Sequence, residues 1–263
     1  MLESIAVDGF GGRAFHIGGV GLFCPAGIGK SGLSGGNGGE VPGFRARDHI
    51  QDRKSIKLMS RAVQLGVSAA LQATSNDAQI ETHAPTRRGM FVGARAQTGD
   101  PEDLRRAFDV SSDAAGNFAL SKFAKDGIDR IHPLWLVKGL SNNVLGLTAS
   151  ALNIQGVNSN YCQSEHGGWL AILEAAHAVA EGRVDWALAG GSDALVGAEK
   201  MLNQKLCGEA GAFVVLRSGA VKGPSVRLEK ASLDIDIGNL GYLGAATWSV
   251  GFVRHILRIR SGI

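Results

Sequence analysis

The sequence is poor in the residues that small secreted domains and metal-bound folds depend on. Three cysteines (Cys24, Cys162, Cys207) in 263 residues are an odd number at wide spacing, which supports neither a disulfide framework nor a zinc site. Seven histidines show no HExxH or other ligand spacing, so neither a metal nor a cofactor is expected. No uninterrupted run of ~18 apolar residues is present, which argues against a membrane-spanning helix. The opening MLESIAVDGF carries Glu3 and Asp8 where a secretion signal would carry positive charge and an apolar run, and a cytoplasmic protein is expected. Charge of one sign is also lacking: 27 Lys and Arg against 24 Asp and Glu leave a net charge of +3. No basic cluster is interleaved with aromatics as a nucleic-acid groove requires, so nucleic acid is not an expected partner.

What is abundant is glycine, 38 residues, against an average of about 7%. This implies tight turns and close backbone packing. Apolar residues make up 44%, and a chain near this length buries roughly 75% of its unfolded surface, so a large core is available without cross-links. Residues 13–24 and 88–94 read as buried strands, and 27–39 as a glycine-rich loop. Residues 52–73 carry apolar positions at helical spacing, with Asp52 able to act as the N-cap. Residues 136–152 and 166–182 read as helices, the second closed by Gly182. Short strands are expected at 156–164, 185–189 (with GGSDA as its exit), 212–216 and 225–228, and a last helix at 243–257. No element is assigned within 100–130. Strands alternating with helices predict an α/β fold with a largely buried sheet.

Two motifs suggest chemistry and fail on inspection. GIGKS at 27–31 invites a phosphate-loop reading, but the leading glycine of GxxxxGK[ST] would fall at Cys24. Cys162 and His166 lie four apart, but a reactive thiol belongs at the mouth of a helix, where the dipole favours the thiolate. The helix is expected to begin near His166, leaving Cys162 inside the strand as a small buried residue. The residue at the mouth is Glu165, a placement that helix electrostatics alone would favour.

The segment GVNSNYCQSEHGGWLAILEAAHAVAEGRVDWALAGGSDAL, 156–195, resembles the nucleophile region of β-ketoacyl synthases: a glycine-led strand, a sharp turn, a helix, then a strand ending in AGG and an acidic residue. HPLWLVKGLSNNVLGLTASALNIQG (132–156), VGLFCPAGIGKSGLSGGNGG (20–39) and GEAGAFVVL (208–216) resemble the family's flanking segments. The resemblance implies a thiolase-like layered αβαβα fold. It implies one domain over 1–263, with a first half complete to about 200 and a second half reduced to 208–263.

In that alignment the family's nucleophile falls on Glu165, and a carboxylate cannot hold an acyl chain as a thioester. The family also uses two histidines to assist malonyl decarboxylation and stabilise the enolate oxygen. The HGTGT-like segment that supplies one is absent, and NLGYLGAA (239–246), where the other would align, contains none. The resemblance therefore implies no catalytic residue and a likeness to the chain-length factor of type II polyketide and polyene systems. Such a subunit would pair as a heterodimer with an active ketosynthase, receive chains from an acyl carrier protein, and limit their length. Trp135, with Phe118 and Phe123, is the candidate wall of the acyl channel; Asn158, Asn160 and Tyr161 are candidates for the dimer interface. Two alternatives remain open: a decarboxylase of malonyl-carrier protein that supplies starter units, and a scaffold that binds carrier protein through Arg45, Arg47, Arg53 and Lys54.

Overall fold

The computed structural model describes residues 4–96, 102–228 and 237–262. Its strands are β1 (Ile5–Asp8), β2 (Phe15–Cys24), β3 (Gly27–Ile28), β4 (Arg88–Gly93), β5 (Asn158–Tyr161), β6 (Trp186–Ala194), β7 (Glu209–Ser218) and β8 (Ser225–Arg227). Its helices are α1 (Arg53–Ile56), α2 (Arg61–Asp77), α3 (Glu102–Val110), α4 (Leu120–Lys122), α5 (Trp135–Lys138), α6 (Asn143–Ala151), α7 (Gly167–Ala180), α8 (Glu199–Leu202) and α9 (Thr247–Ser261).

One sheet runs in the order β5-β4-β6-β7-β2-β1-β8, with β3 paired to β2. β5, β4 and β6 are mutually parallel, whereas β7 is antiparallel to both β6 and β2. Residues alternate between its faces, as the period of a strand requires. Met90, Leu188, Phe213 and Val215 join Val63, Val67 and Ala70 of α2 on one side. Phe91, Ala189, Ala212 and Val214 join Ile172 of α7 and Val250 and Val253 of α9 on the other. Because both faces are covered, the central strands are chiefly apolar, with buried polar side chains only towards their ends (His16, Arg88, Ser192, Asp193 and Glu209), and each buried Val, Leu or Phe contributes about 1.5–3 kcal/mol. The expected α/β class is what forms.

Glycine sets how closely the layers approach. A Cβ at Gly19 or Gly21 of β2 would overlap the carbonyl oxygens of Ala73 and Ala69, one helical turn apart on α2. The helix therefore lies directly on the strand.

Several boundaries differ from the sequence reading. The helix expected over 52–73 is two helices: Asp52 accepts from the backbone N–H groups of Lys54 and Ser55 to start α1, and Ser60 accepts from Val63 N to start α2. The helix expected over 136–152 breaks at 139–142, where Asn143 Nδ2 donates to the Val137 carbonyl at 2.6 Å and stops α5. GGSDA is not an exit. It continues β6 in register with β7 as far as Ala194 opposite Glu209.

Candidate functional site

The corner between β5 and α7 is a single 3₁₀ turn, Ser164–His166. Ser164 adopts φ +47°, a left-handed conformation that a side chain rarely takes and that the surroundings must hold. Those surroundings are backbone. A Cβ at Gly93, the last residue of β4, would fall inside the backbone of Gly167 and Gly168. A Cβ at Gly191 of β6 would meet the Ala245 carbonyl oxygen at 2.5 Å. Strand ends, helix start and the 244–246 turn are thus clamped together around the corner.

Glu165 is half-exposed at this corner. Tyr242 Oη donates to its Oε2 at 3.2 Å, and His166 Nδ1 stands 3.9 Å from its Oε1. The His166 ring stacks on Trp248 with centroids 5.5 Å apart. Burial, and then the neighbouring Glu165 carboxylate, push the Tyr242 phenol up to about 12, so it stays a donor at neutral pH. Beneath lies Asp193, fully buried, with Arg95 Nε 3.0 Å from its Oδ1 and the Ala245 N–H donating to its Oδ2. Burial pushes the Asp193 carboxyl up, against the pull of Arg95. The corner thus offers an acceptor, a protonated phenol and a second, buried carboxylate beside Arg95. None of these can carry an acyl thioester.

The other residues singled out from sequence separate into three places. Cys162 is exposed rather than buried, three residues before Glu165, and receives a hydrogen bond from Asn160 Nδ2 at 3.5 Å. The expectation of a buried cysteine fails because β5 is an edge strand, so its end is open on one side. Asn158, Asn160 and Tyr161 lie on that edge; Asn158 is exposed, the other two are half-buried, and the Asn160 Oδ1 is buried without a partner. Phe118 and Phe123 meet at 5.6 Å between ring centroids, and Phe108 joins Phe118 at 5.7 Å. Trp135 is half-buried on α5, and its indole Nε1 is buried without a partner. Arg45, on the face suggested for carrier protein, pairs with Asp48 at 2.7 Å. Among the described residues no group of His, Cys, Asp or Glu could hold a metal ion, and no helix is long and apolar enough to cross a membrane.

Sequence reasoning missed the partner of Glu165. The signal was present: Tyr242 is one of two tyrosines in the chain and stands within NLGYLGAA, the segment searched for a histidine. It also missed Arg95 opposite Asp193.

The family model of the β-ketoacyl synthase N-terminal domain matches residues 33–212. The chain belongs to the β-ketoacyl synthase family. No curated protein sequence matches it. Among solved structures, this ketosynthase-family chain is similar to one in AntDE:AntF, a type II PKS acyl-carrier protein in complex with its ketosynthase bound to the hexaketide, with TM-score 0.71 at 13% identity over 96% of this chain and 93% of that one. It is similar to the ishigamide ketosynthase/chain length factor, with TM-score 0.64 at 17% identity. It is also similar to a ketosynthase in complex with its chain length factor from Xenorhabdus doucetiae, with TM-score 0.53 at 16% identity. The chain covers 79% and 80% of itself in these two comparisons and spans 59% of the length of each of those chains. The fold is thus thiolase-like, and the described residues build one sheet of it with a helical layer on each face.

Proposed function

We propose that this chain is a non-condensing, chain-length-factor-like subunit that pairs with an active ketosynthase and shapes the channel limiting acyl chain length. The observation that carries this reading is the corner itself. At the position that aligns with the family's nucleophile, Glu165 is hydrogen-bonded to Tyr242, where condensation would need a thiol and an imidazole. A carboxylate cannot form the acyl thioester, and the Tyr242 O–H that could otherwise steady an enolate oxygen is committed to Glu165.

Three further features support a partnered subunit. The open edge of β5 can pair with another strand, and the unpartnered Asn160 Oδ1 and Trp135 Nε1 are buried polar atoms of the kind normally satisfied in a complete assembly. Of the twelve exposed large hydrophobics among the described residues, nine lie between Phe108 and Leu140, and apolar surface concentrated in this way marks an interaction site. The neighbours above include complexes of ketosynthases with a carrier protein or a chain length factor, which agrees with such partners for this chain. In this role Phe118, Phe123 and Trp135 supply bulk that stops the growing chain, each additional buried CH₂ being worth ~0.8 kcal/mol until the stop is reached.

The test is co-expression with an active ketosynthase and its carrier protein. A stable heterodimer is expected, and Trp135→Ala is expected to lengthen the product by at least one two-carbon unit, read by mass spectrometry. A chain that stays monomeric beside the ketosynthase and leaves product length unchanged overturns the reading.

A further inference from the structure

The corner leaves unused a sizeable cavity elsewhere in the molecule. It is a groove of about 710 Å³ on the α2 face of the sheet, between α2, α6 and the 48–59 segment. Glu165 lies at the start of α7, a helix packed on the opposite face. The groove is within the usual range for small-molecule sites, roughly 300–1,000 Å³. At ~30 Å³ per water-sized group it has room for about two dozen such groups.

Its lining has an unusual charge balance. Among the described residues no Lys or Arg contributes to it. Two carboxylates do, and both are engaged: Asp48 with Arg45 Nε at 2.7 Å, and Asp52 with the N–H groups that start α1 and with the Ser55 hydroxyl. Burial holds the His49 imidazole below its ordinary value, so it is neutral near pH 7. An anion would find no counter-charge here, and a cation would meet only carboxylates that already have partners.

What remains is neutral and two-sided. Met59, Leu71 and Leu147 supply apolar wall. Gln72 Oε1 accepts a hydrogen bond from the Leu22 N–H at 2.8 Å, which leaves the amide nitrogen as a donor. Ser68 is decisive. It lines the groove at 1% exposure, and its Oγ has no partner. A buried hydroxyl left unsatisfied costs about 1–3 kcal/mol, and a ligand group placed against it would remove that cost.

We propose that this groove binds an uncharged amphipathic small molecule bearing a hydroxyl or amide group, with Ser68 as the buried hydrogen-bond anchor. The apolar part of the ligand lies along Leu71 and Leu147. The site is separate from the corner, and it stands whether or not the chain pairs with a ketosynthase.

A matched set of probes tests it: octanamide, octanoate and octylammonium, which share one alkyl chain and differ in charge. Each is titrated calorimetrically into the full chain at pH 7. Octanamide is expected to bind at least tenfold more tightly than either ion. Ser68→Ala is expected to weaken octanamide by roughly three- to tenfold, as loss of one net hydrogen bond implies. Ser150→Trp, at an exposed position on the rim, is expected to block binding without changing the melting temperature. The proposal is overturned if the three probes bind alike, if none binds, or if octanamide binding survives both substitutions. It also fails if a crystal soaked to saturation shows only an ordered water on Ser68.

Discussion

Glu165 and Tyr242 are 77 residues apart in sequence and meet at the corner where β5 turns into α7. The carboxylate is placed by the turn and the phenol by the segment leading into α9, so the pair depends on the packing of α9 beside α7. Glu165→Cys provides a direct test of the proposal that this corner does not condense acyl units. The new thiol would stand at a helix start beside His166, a setting that favours the thiolate. It is expected to be alkylated by iodoacetamide at the corner, as peptide mass mapping would show. Carbon–carbon bond formation is nevertheless expected to stay at background, because Asn239–Ala246 offers a tyrosine rather than an imidazole to steady an enolate. Elongation of malonyl units by this single variant would contradict the assignment.

The elements around the corner are held by close backbone contact, and the sharpest test is Gly93→Ala. The added methyl has only the Gly167 and Gly168 backbone to displace, and overpacking of this kind costs about 1–3 kcal/mol or more. A lower urea midpoint with an unchanged slope is expected. A second element-scale test concerns the start of β6. Asp185 lies 2.9 Å from Arg87 Nε and 3.0 Å from Arg13 Nη2, tying the entries of β2, β4 and β6 together. The Arg87 side chain, more than Arg13, lowers the Asp185 carboxyl from 3.8 to about 2. A lowered folded value means stability that is fully present above pH 3.8 and lost as pH falls through about 2. Both arginines are partly exposed and screened, so Asp185→Asn is expected to cost roughly 1 kcal/mol at pH 7. That difference should shrink as the urea titration is repeated from pH 4 towards pH 2.

The same elements show what the sequence could reveal. β2, β4 and α7 were legible because apolar residues dominate each of them, in β2 even across the glycines that interrupt it. The breaks at 57–60 and 139–142 were not, because the side chains of Ser60 and Asn143 decide them, capping backbone groups within an otherwise helical pattern. GGSDA was misjudged because glycine usually ends a strand, whereas here the absence of Cβ lets β7 and Ala245 approach. The role proposed for Glu165 was accessible only through family resemblance. Its contact with Tyr242 is a tertiary fact that no local spacing encodes.

For the whole molecule, the uneven distribution of apolar surface matters most. The sheet is sealed by helices on both faces, yet Leu120 and Leu136 are 71% and 66% exposed in the segment that carries Phe118 and Trp135. A partner covering this segment would remove that surface from water at ~25 cal/mol per Å², whereas substitution there leaves the core untouched. Leu120→Glu with Leu136→Glu is therefore expected to leave the melting temperature within about 2 °C, since exposed substitutions usually change stability by less than ~0.5 kcal/mol. The same pair is expected to weaken association with an active ketosynthase at least tenfold, because two desolvated charges would oppose the interface. Light scattering coupled to size exclusion, run on the chain alone and on the co-expressed mixture, separates the two effects. An undiminished heterodimer would place the partner elsewhere on the surface. A collapsed melting temperature would mean that α4 and α5 belong to the core rather than to an interface.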